Sequence, residues 1–301
     1  MTIDPPGTST ADVAVVIPVK DRAAYLESAL ESVGRQTVRP SEVIVVDDAS
    51  SDGSAEIAEV FGATVVRLPS SVGSGLARNA GIAAATAEWV AFLDSDDTWE
   101  LDHLARLTAR ATAPLVLLTT TARVSTGGLM GNTSSAEVPL DSARCFAPTT
   151  IVVTSGTMVR RQTLSDAGLF RSLPRVQDLD LWARVLEHGP GLALAAPTVI
   201  YRKRGRYTTV DSDRKDKQAL MRVLNDLGDR PWMTRSVRIC VLARVEWDAL
   251  RLAQHERRRS DMLRHLSWFA ARPDACLQLV RVLRVRREGR ARASVVEPLA
   301  A

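Results

Sequence analysis

The segment Phe92-Leu93-Asp94-Ser95-Asp96-Asp97 closes an apolar run that begins at Trp89. Carboxylates clustered at the end of a buried strand repel one another and resist desolvation. A divalent cation with oxygen ligands resolves that conflict, and Asp94 and Asp96 are the candidate ligands. A solvated acidic turn is the competing reading. Asp47 or Asp48 could accept a hydrogen bond from a base imide N–H or a ribose hydroxyl, or could cap the turn-rich segment that follows. Arg78 and Asn79 could reach phosphate oxygens, Arg through its planar fork of donors; a surface arginine is the plainer alternative. In Gln177-Asp178-Leu179-Asp180-Leu181-Trp182, Asp178 is either a carboxylate favoured by a helix N-terminus or a general base for an attacking hydroxyl.

These groups need a scaffold that gathers strand ends. Val13-Ala14-Val15-Val16-Ile17 is apolar and β-branched, and Pro18 ends it. Asp21 is a candidate N-cap, with Leu26, Leu30 and Val33 at helical spacing behind it. Val43 to Val46 forms a second strand that stops at Asp47-Asp48, and Thr64 to Leu68 a third. Helical segments at 54–61 and about 75–86 separate these runs from the strand at Trp89. Continuous apolar runs alternating with helices indicate a mostly parallel sheet covered on both faces. In such sheets ligands sit beyond the carboxyl ends of the strands, where Lys20-Asp21-Arg22, Asp47-Asp48 and Asp94-Ser95-Asp96 would meet. Farther along, the pattern predicts a helix over 100–111 and strands at 115–121, near 150–153 and at 198–201. Helices are expected near 161–167 and from about Asp178, and beyond 213 only helical periodicity remains.

Composition narrows the class. With 46% hydrophobic and 25% charged residues in 301, the chain is an ordinary globular one. Its 3 cysteines are far apart, which disfavours a disulfide framework or a zinc cluster and suits a reducing cytoplasm. Residues 1–12 lack an apolar core and read as a frayed tail rather than a signal peptide. No uninterrupted apolar stretch of about 18 residues predicts a membrane span. The phosphate loops G-x-G-x-x-G and G-x-x-x-x-G-K-[ST] are missing, as is G-x-S-x-G, which disfavours nicotinamide, P-loop and Ser-elbow chemistry.

Together these segments resemble the family 2 glycosyltransferases of the GT-A fold. Val13 to Val19 looks like that family's opening strand, and Glu42 to Ser54 is similar to its second signature. Gly75-Leu76-Ala77-Arg78-Asn79-Ala80-Gly81 matches the helix before the metal strand. Phe92 to Asp97 looks like the D-x-D region, and Gln177 to Trp182 like the catalytic acidic motif. The likeness covers roughly residues 12–206. It implies a GT-A nucleotide-binding sandwich, a nucleotide-diphospho-sugar donor, a divalent cation (Mn²⁺ or Mg²⁺) and inversion at the anomeric carbon. UDP is the family's commonest donor nucleotide, with dTDP and GDP as alternatives. By position, Pro18, Val19 and Asp48 would line base and ribose with Asp21 or Arg22 close by, and Arg78 would approach the diphosphate. Asp96, with Asp94 beside it, would hold the metal, and Asp178 would be the base. Two departures stand out: Gln177 replaces a Glu, and Tyr201-Arg202-Lys203-Arg204-Gly205-Arg206 lacks the His common after the Tyr-Arg pair. Arg204 or a neighbour would then meet the diphosphate directly.

The implied organisation is a tail over 1–11, a donor-binding half over 12–111, an acceptor-binding and catalytic half over 112–212, and a helical extension over 213–301. The acceptor would be a glycan precursor, lipid-linked or not, or a small metabolite. Val237, Val241, Val245 and Leu252, then Leu263, Leu266, Trp268 and Phe269, form apolar helical faces that read as core. The 6 arginines between Arg281 and Arg292 give the second reading, contact with an anionic membrane at the inner face. Nucleic acid is disfavoured because aromatics are only 5% of residues and do not interleave with the arginines. Two rivals to sugar transfer are a nucleotidyltransferase, which wants a Gly-rich basic loop after the first strand, and a non-catalytic nucleotide-sugar or polyanion binder.

Overall fold

A computed structural model describes residues 9–132, 134–146, 152–173, 175–202, 210–277 and 279–280. The first strand, β1 (Ser9–Val19), starts inside the segment read as a tail. Helix α1 (Ala23–Gly34) leads to β2 (Val38–Asp47), α2 (Ser54–Val60) and β3 (Thr64–Arg67). Then come α3 (Ser74–Ala84), β4 (Trp89–Phe92), the short β5 (Thr98–Trp99) and α4 (His103–Thr108). The second half contains β6 (Leu117–Val124), β7 (Leu129–Met130), β8 (Val138–Leu140), β9 (Thr157–Arg160) and α5 (Arg161–Asp166). It ends with α6 (Gln177–Val185) and β10 (Gly191–Tyr201), and α7 (Val210–Asp226), α8 (Arg235–His255) and α9 (Arg259–Ala270) follow.

One sheet runs through both halves in the order β3-β2-β1-β4-β9-β6-β10-β5, with β7 beside β6 and β8 beside β10. The first four strands are parallel, as the apolar runs imply. Parallel pairing does not extend beyond them unbroken, because β9 lies antiparallel between β4 and β6. The pair β6 and β10 is parallel again. The strand expected near 150–153 is a misplacement: Val152 and Val153 lie outside any strand, and β9 begins at Thr157. β10 starts at Gly191, ahead of the expected piece at 198–201, and its pairing with β6 shifts register on either side of Pro197, a residue with no N–H to give a ladder.

Successive residues of β1 point to opposite faces, so even an unbroken apolar run serves two cores. Ala14 and Val16, with Val46 and Phe92, pack against Ala77 and Ile82 of α3 and Leu181 and Trp182 of α6. Val13, Val15 and Ile17, with Val45 and Leu93, pack against Leu26, Leu30 and Val33 of α1 and Leu104 and Leu107 of α4. Gly81 sets the distance between α3 and the sheet, since a Cβ there would lie 2.5 Å from a Val16 methyl. Burial of Trp182 between Phe92 and Phe170, at centroid distances of 5.6 and 5.7 Å, stabilises the α6 contact by about 3 kcal/mol relative to a truncated side chain.

The helical extension is attached to this body. Leu220, Val223 and Leu224 of α7 and Val241 of α8 join the larger core. Phe269 of α9 packs with Ala243, Ala275 and Leu279. Leu263 and Leu266, expected in the core, are instead 68% and 49% exposed. The arginines from 281 to 292 and the segment 203–206 lie outside the described residues.

Candidate functional site

Register brings the strand ends to one level. Val19 pairs with Asp47 across β1 and β2, and Val16 pairs with Phe92 across β1 and β4. Beyond those ends lies a cavity of about 240 Å³ lined by Pro18, Val19, Lys20, Arg22, Asp48, Ser74, Arg78, Asp94, Ser95 and Asp96. Pro18, Val19, Arg22, Asp48, Arg78, Asp94 and Asp96 of the sequence-derived set therefore share one wall system. Asp21 and Asp178 are not among its lining residues.

Asp48 is already committed to its own scaffold. Its carboxylate accepts from Ser71 Oγ at 2.9 Å, from the Val72 N–H at 2.6 Å and from the Gly73 N–H at 3.0 Å. Those bonds fix the loop that enters α3, and Arg78 follows one turn later. Asp47 takes the turn role, accepting the Ser50 N–H at 3.1 Å. Lys20 Nζ bridges the carbonyls of Asp48 and Ala49 at 3.2 and 3.3 Å.

Asp21 does not cap α1. It has φ of +48°, and its carboxylate accepts from the Ser51 N–H at 2.8 Å. The first N–H groups of α1 are met from elsewhere: Ser54 Oγ accepts from Arg22 and Asp52 accepts from Ala23, at 3.2 and 2.9 Å. A helix start left unpaired would cost stability, and here a neighbouring loop supplies the acceptors.

Arg78 is 5% exposed and lies against Asp94, Nη2 to Oδ1 2.5 Å, with its guanidinium 5.5 Å from the centre of the Phe170 ring. Its buried Nε has no hydrogen-bond partner. Asn79, expected near phosphate, is used otherwise: its side-chain amide donates to the Phe170 carbonyl at 2.8 Å and accepts the Phe170 N–H at 2.9 Å. The close pairing of that amide with one backbone residue leaves it a structural clamp.

Asp97 received no role from sequence, and burial is what distinguishes it. It is 1% exposed and accepts from Ser155 Oγ at 2.6 Å and from the Arg202 N–H at 2.9 Å. Burial, and then the charge of nearby Asp94, push its carboxyl up to about 7. Arg202 also lays its guanidinium 5.0 Å from the centre of the Tyr25 ring, tying the exit of β10 to α1.

Asp178 stands in the first turn of α6, after Val176 in a left-handed conformation with φ of +53°. Thr154 Oγ1 donates to Asp178 Oδ2 at 3.2 Å, and the Leu179 N–H donates to Oδ1 at 2.9 Å. Gln177 reaches Ser74 Oγ at 2.7 Å, so the start of α6 touches the start of α3. The neighbouring Asp180 is fully buried and paired with Arg184 at 2.6 Å. A buried pair of that kind is scaffold, which leaves Asp178 as the accessible carboxylate of the motif.

Among the described residues no group of three or more His, Cys, Asp or Glu side chains is arranged to hold a metal. Asp94 and Asp96 nonetheless offer hard oxygen donors on the same cavity. Two carboxylates suit an ion that completes its shell with water and substrate phosphates rather than with an all-protein cage.

The succinoglycan biosynthesis protein ExoO of Rhizobium meliloti is 41% identical over 105 residues, 34% of this chain and 30% of that protein. The pre-mycofactocin glycosyltransferase of Mycobacterium tuberculosis is 32% identical over 202 residues, 62% of this chain and 42% of the relative. The matched stretches thus span less than half of either relative. Among solved structures, S. aureus TarS 1-349 in complex with UDP-GlcNAc superposes with a TM-score of 0.57 at 18% identity, covering 92% of each chain. The mannosyltransferase PcManGT from Pyrobaculum calidifontis, in complex with GDP-Man and Mn²⁺, gives a TM-score of 0.61 at 18% identity, covering 98% of this chain and 88% of that one. At such identities the likeness is one of fold. The family model for Glycosyl transferase family 2 matches residues 14–166, just over half of the sequence, and this chain belongs to that family.

Proposed function

We propose that the protein moves a sugar from a nucleoside-diphosphate donor to an acceptor hydroxyl with inversion at the anomeric carbon. The observation that carries this reading is the meeting of Asp48, Arg78, Asp94 and Asp96 around one cavity at the ends of β1, β2 and β4. Pro18 and Val19 would form the apolar wall against the base. Asp48 would act through the 71–73 loop it holds, and Asp21 through Ser51, in addition to any contact with ribose. Arg22 and Arg78 line the cavity and are the cations that would face the diphosphate, Arg78 through its planar fork of donors. Arg204, outside the described residues, would stand in for the family's His.

Asp94 and Asp96 would hold a divalent cation, Mn²⁺ or Mg²⁺, which offsets the charge on the departing diphosphate. Asp178 would take the proton of the acceptor hydroxyl as it attacks the face opposite the leaving group. Its two oxygens each carry one protein bond and keep lone pairs for that proton. UDP is the first candidate nucleotide, in keeping with a neighbour bound to UDP-GlcNAc; GDP is the second, since the other neighbour binds GDP-Man. The acceptor belongs to one of two classes, a cell-surface glycan precursor as for a succinoglycan protein, or a small metabolite as for a pre-mycofactocin enzyme. We assign the work to the cytoplasm, which suits 3 cysteines too far apart in sequence for a disulfide framework. Among the described residues no helix is long and apolar enough to cross a membrane.

A thermal-shift panel of UDP, dTDP, GDP, CDP and ADP, each with and without Mn²⁺, tests the donor half of this reading. A ligand specific to the folded state raises the melting temperature by mass action and needs no acceptor. A metal-dependent rise with one nucleotide, lost in Asp96→Ala, supports transfer. A flat panel would favour a fold employed for something else.

A further inference from the structure

We infer that the dipeptide Thr154-Ser155 is the positioning element that sets the candidate base against the candidate metal carboxylates. This rests on the sugar-transfer reading above and names two residues that neither composition nor motif brought forward. The dipeptide opens a short turn, Thr154–Gly156, between the body of the chain and β9. Its two side chains face two different parts of the site. Thr154 Oγ1 donates to Asp178 at 3.2 Å. Ser155 Oγ accepts the Asp94 N–H at 3.2 Å and donates to Asp97 at 2.6 Å. Asp97 in turn receives the Arg202 N–H at the exit of β10, so the turn joins the ends of β4 and β10 to the start of α6.

A hub is useful only if it cannot drift, and this one is pinned on every side. Trp99 Nε1 donates to the Ser155 carbonyl at 2.6 Å. The Gly156 N–H and the Thr157 hydroxyl both donate to the Val153 carbonyl, at 2.9 and 2.7 Å. Gly156 lies so close to β6 that a Cβ would stand 2.9 Å from Thr120 Oγ1 and 3.1 Å from the Thr120 carbonyl. Thr154, Ser155 and Thr157 are all buried. Groups held by packing and by a second layer of hydrogen bonds keep a reactive carboxylate within the narrow tolerance that catalysis requires. A displacement of about 1 Å can cost on the order of 100-fold in rate.

The two residues divide the labour. Thr154 orients Asp178 and so bears on the proton-transfer step. Ser155 orients the Asp94–Asp97 turn and so bears on cation and diphosphate binding. Crystal structures of Thr154→Val and Thr154→Ser, with calorimetry of UDP and GDP in the presence and absence of Mn²⁺, separate these roles. In Thr154→Val the Asp178 carboxylate is expected to leave its observed position by about 1 Å or more while nucleotide affinity stays within about twofold. Thr154→Ser, which keeps the hydroxyl, is expected to restore it. Ser155→Ala is expected to weaken Mn²⁺-dependent nucleotide binding by about 10-fold, a loss of about 1.4 kcal/mol. If Thr154→Val does not fold, Thr154→Ala carries the same comparison. An unmoved Asp178 in the hydroxyl-free variant, or unchanged Mn²⁺-dependent affinity in Ser155→Ala, would overturn the inference. A wild-type chain that binds neither nucleotide would overturn the sugar-transfer reading instead, while the position of Asp178 in the variants would still decide the role of Thr154.

Discussion

The guanidinium of Arg78 lies 2.5 Å from the carboxylate of Asp94, and the arginine is buried while about a third of the aspartate side chain, 32%, reaches solvent. A buried cation needs its counter-ion, so Asp94 serves stability as well as the candidate site. Removing the partner of a fully buried pair costs about 3–5 kcal/mol; the partial exposure of Asp94 reduces this to roughly 2 kcal/mol. Asp94→Asn should therefore lower the melting temperature of the ligand-free protein and also abolish its Mn²⁺-dependent nucleotide shift. Unchanged ligand-free stability would show that Arg78 finds another partner.

Asp48 carries three bonds from the 71–73 loop, and the amide of Asp48→Asn can accept through only one oxygen. The variant is expected to lose about 1–3 kcal/mol and to bind nucleotide more weakly. Hydrogen exchange at Val72 and Gly73 gives the direct readout. Their protection should fall in the variant while that of β1 stays as in the wild type.

His103 supplies a pH dependence whose sign is fixed by burial. It is fully buried, stacked on Trp99 at 4.2 Å, and bonded to Thr198 through Nδ1, while its Nε2 has no partner. Burial pushes its pKa down to about 3, well below the ordinary value of 6.5. The unfolded chain takes up a proton near pH 6.5 that the folded chain refuses until about 3, so stability is lost as pH falls through that window. His103→Gln removes this proton uptake. The stability gap between wild type and variant should narrow on acidification from about pH 7 to pH 4, measured by urea melts. A gap that stays constant would mean that His103 titrates normally.

Outside the central body, α9 leaves Leu263 and Leu266 uncovered, next to Arg257, Arg258 and Arg259. Such a face, with the arginines of 281–292 following in sequence, would favour an anionic bilayer. Flotation with phosphatidylglycerol vesicles should carry the full chain, and Leu263→Ser with Leu266→Ser should reduce it. A chain that stays at the bottom of the gradient with these vesicles would contradict membrane contact.

The parallel core was legible because β1, β2 and β4 each contain a continuous apolar run that stops at charged or polar residues, and a sheet covered on both faces leaves few other arrangements. β9 was not legible. Thr157 to Arg160 is short, and its place between β4 and β6 comes from pairings distant in sequence. The same limit applies within the site. Asp47 and Asp48 look alike in the chain, but one closes a turn and the other anchors a loop. Asn79 looks like a phosphate ligand until Phe170 folds against it, 91 residues away. Asp97 is the third acid of a motif whose first two drew notice, and only burial beside Ser155 sets it apart. Side-chain type is local, whereas exposure and partnership are properties of the whole fold.

Sugar transfer at this site requires a division between donor-binding carboxylates and a proton acceptor. Asp178→Asn separates them, because the amide keeps the shape of the side chain and removes its basicity. Calorimetry with UDP and Mn²⁺, set beside release of UDP from UDP-GlcNAc, is the measurement to make. With Asp178 as the base, nucleotide affinity is expected within about twofold of wild type and turnover reduced by about 100-fold or more, roughly the contribution of a general base. Turnover at the wild-type rate with intact binding would contradict the role of Asp178 as the base.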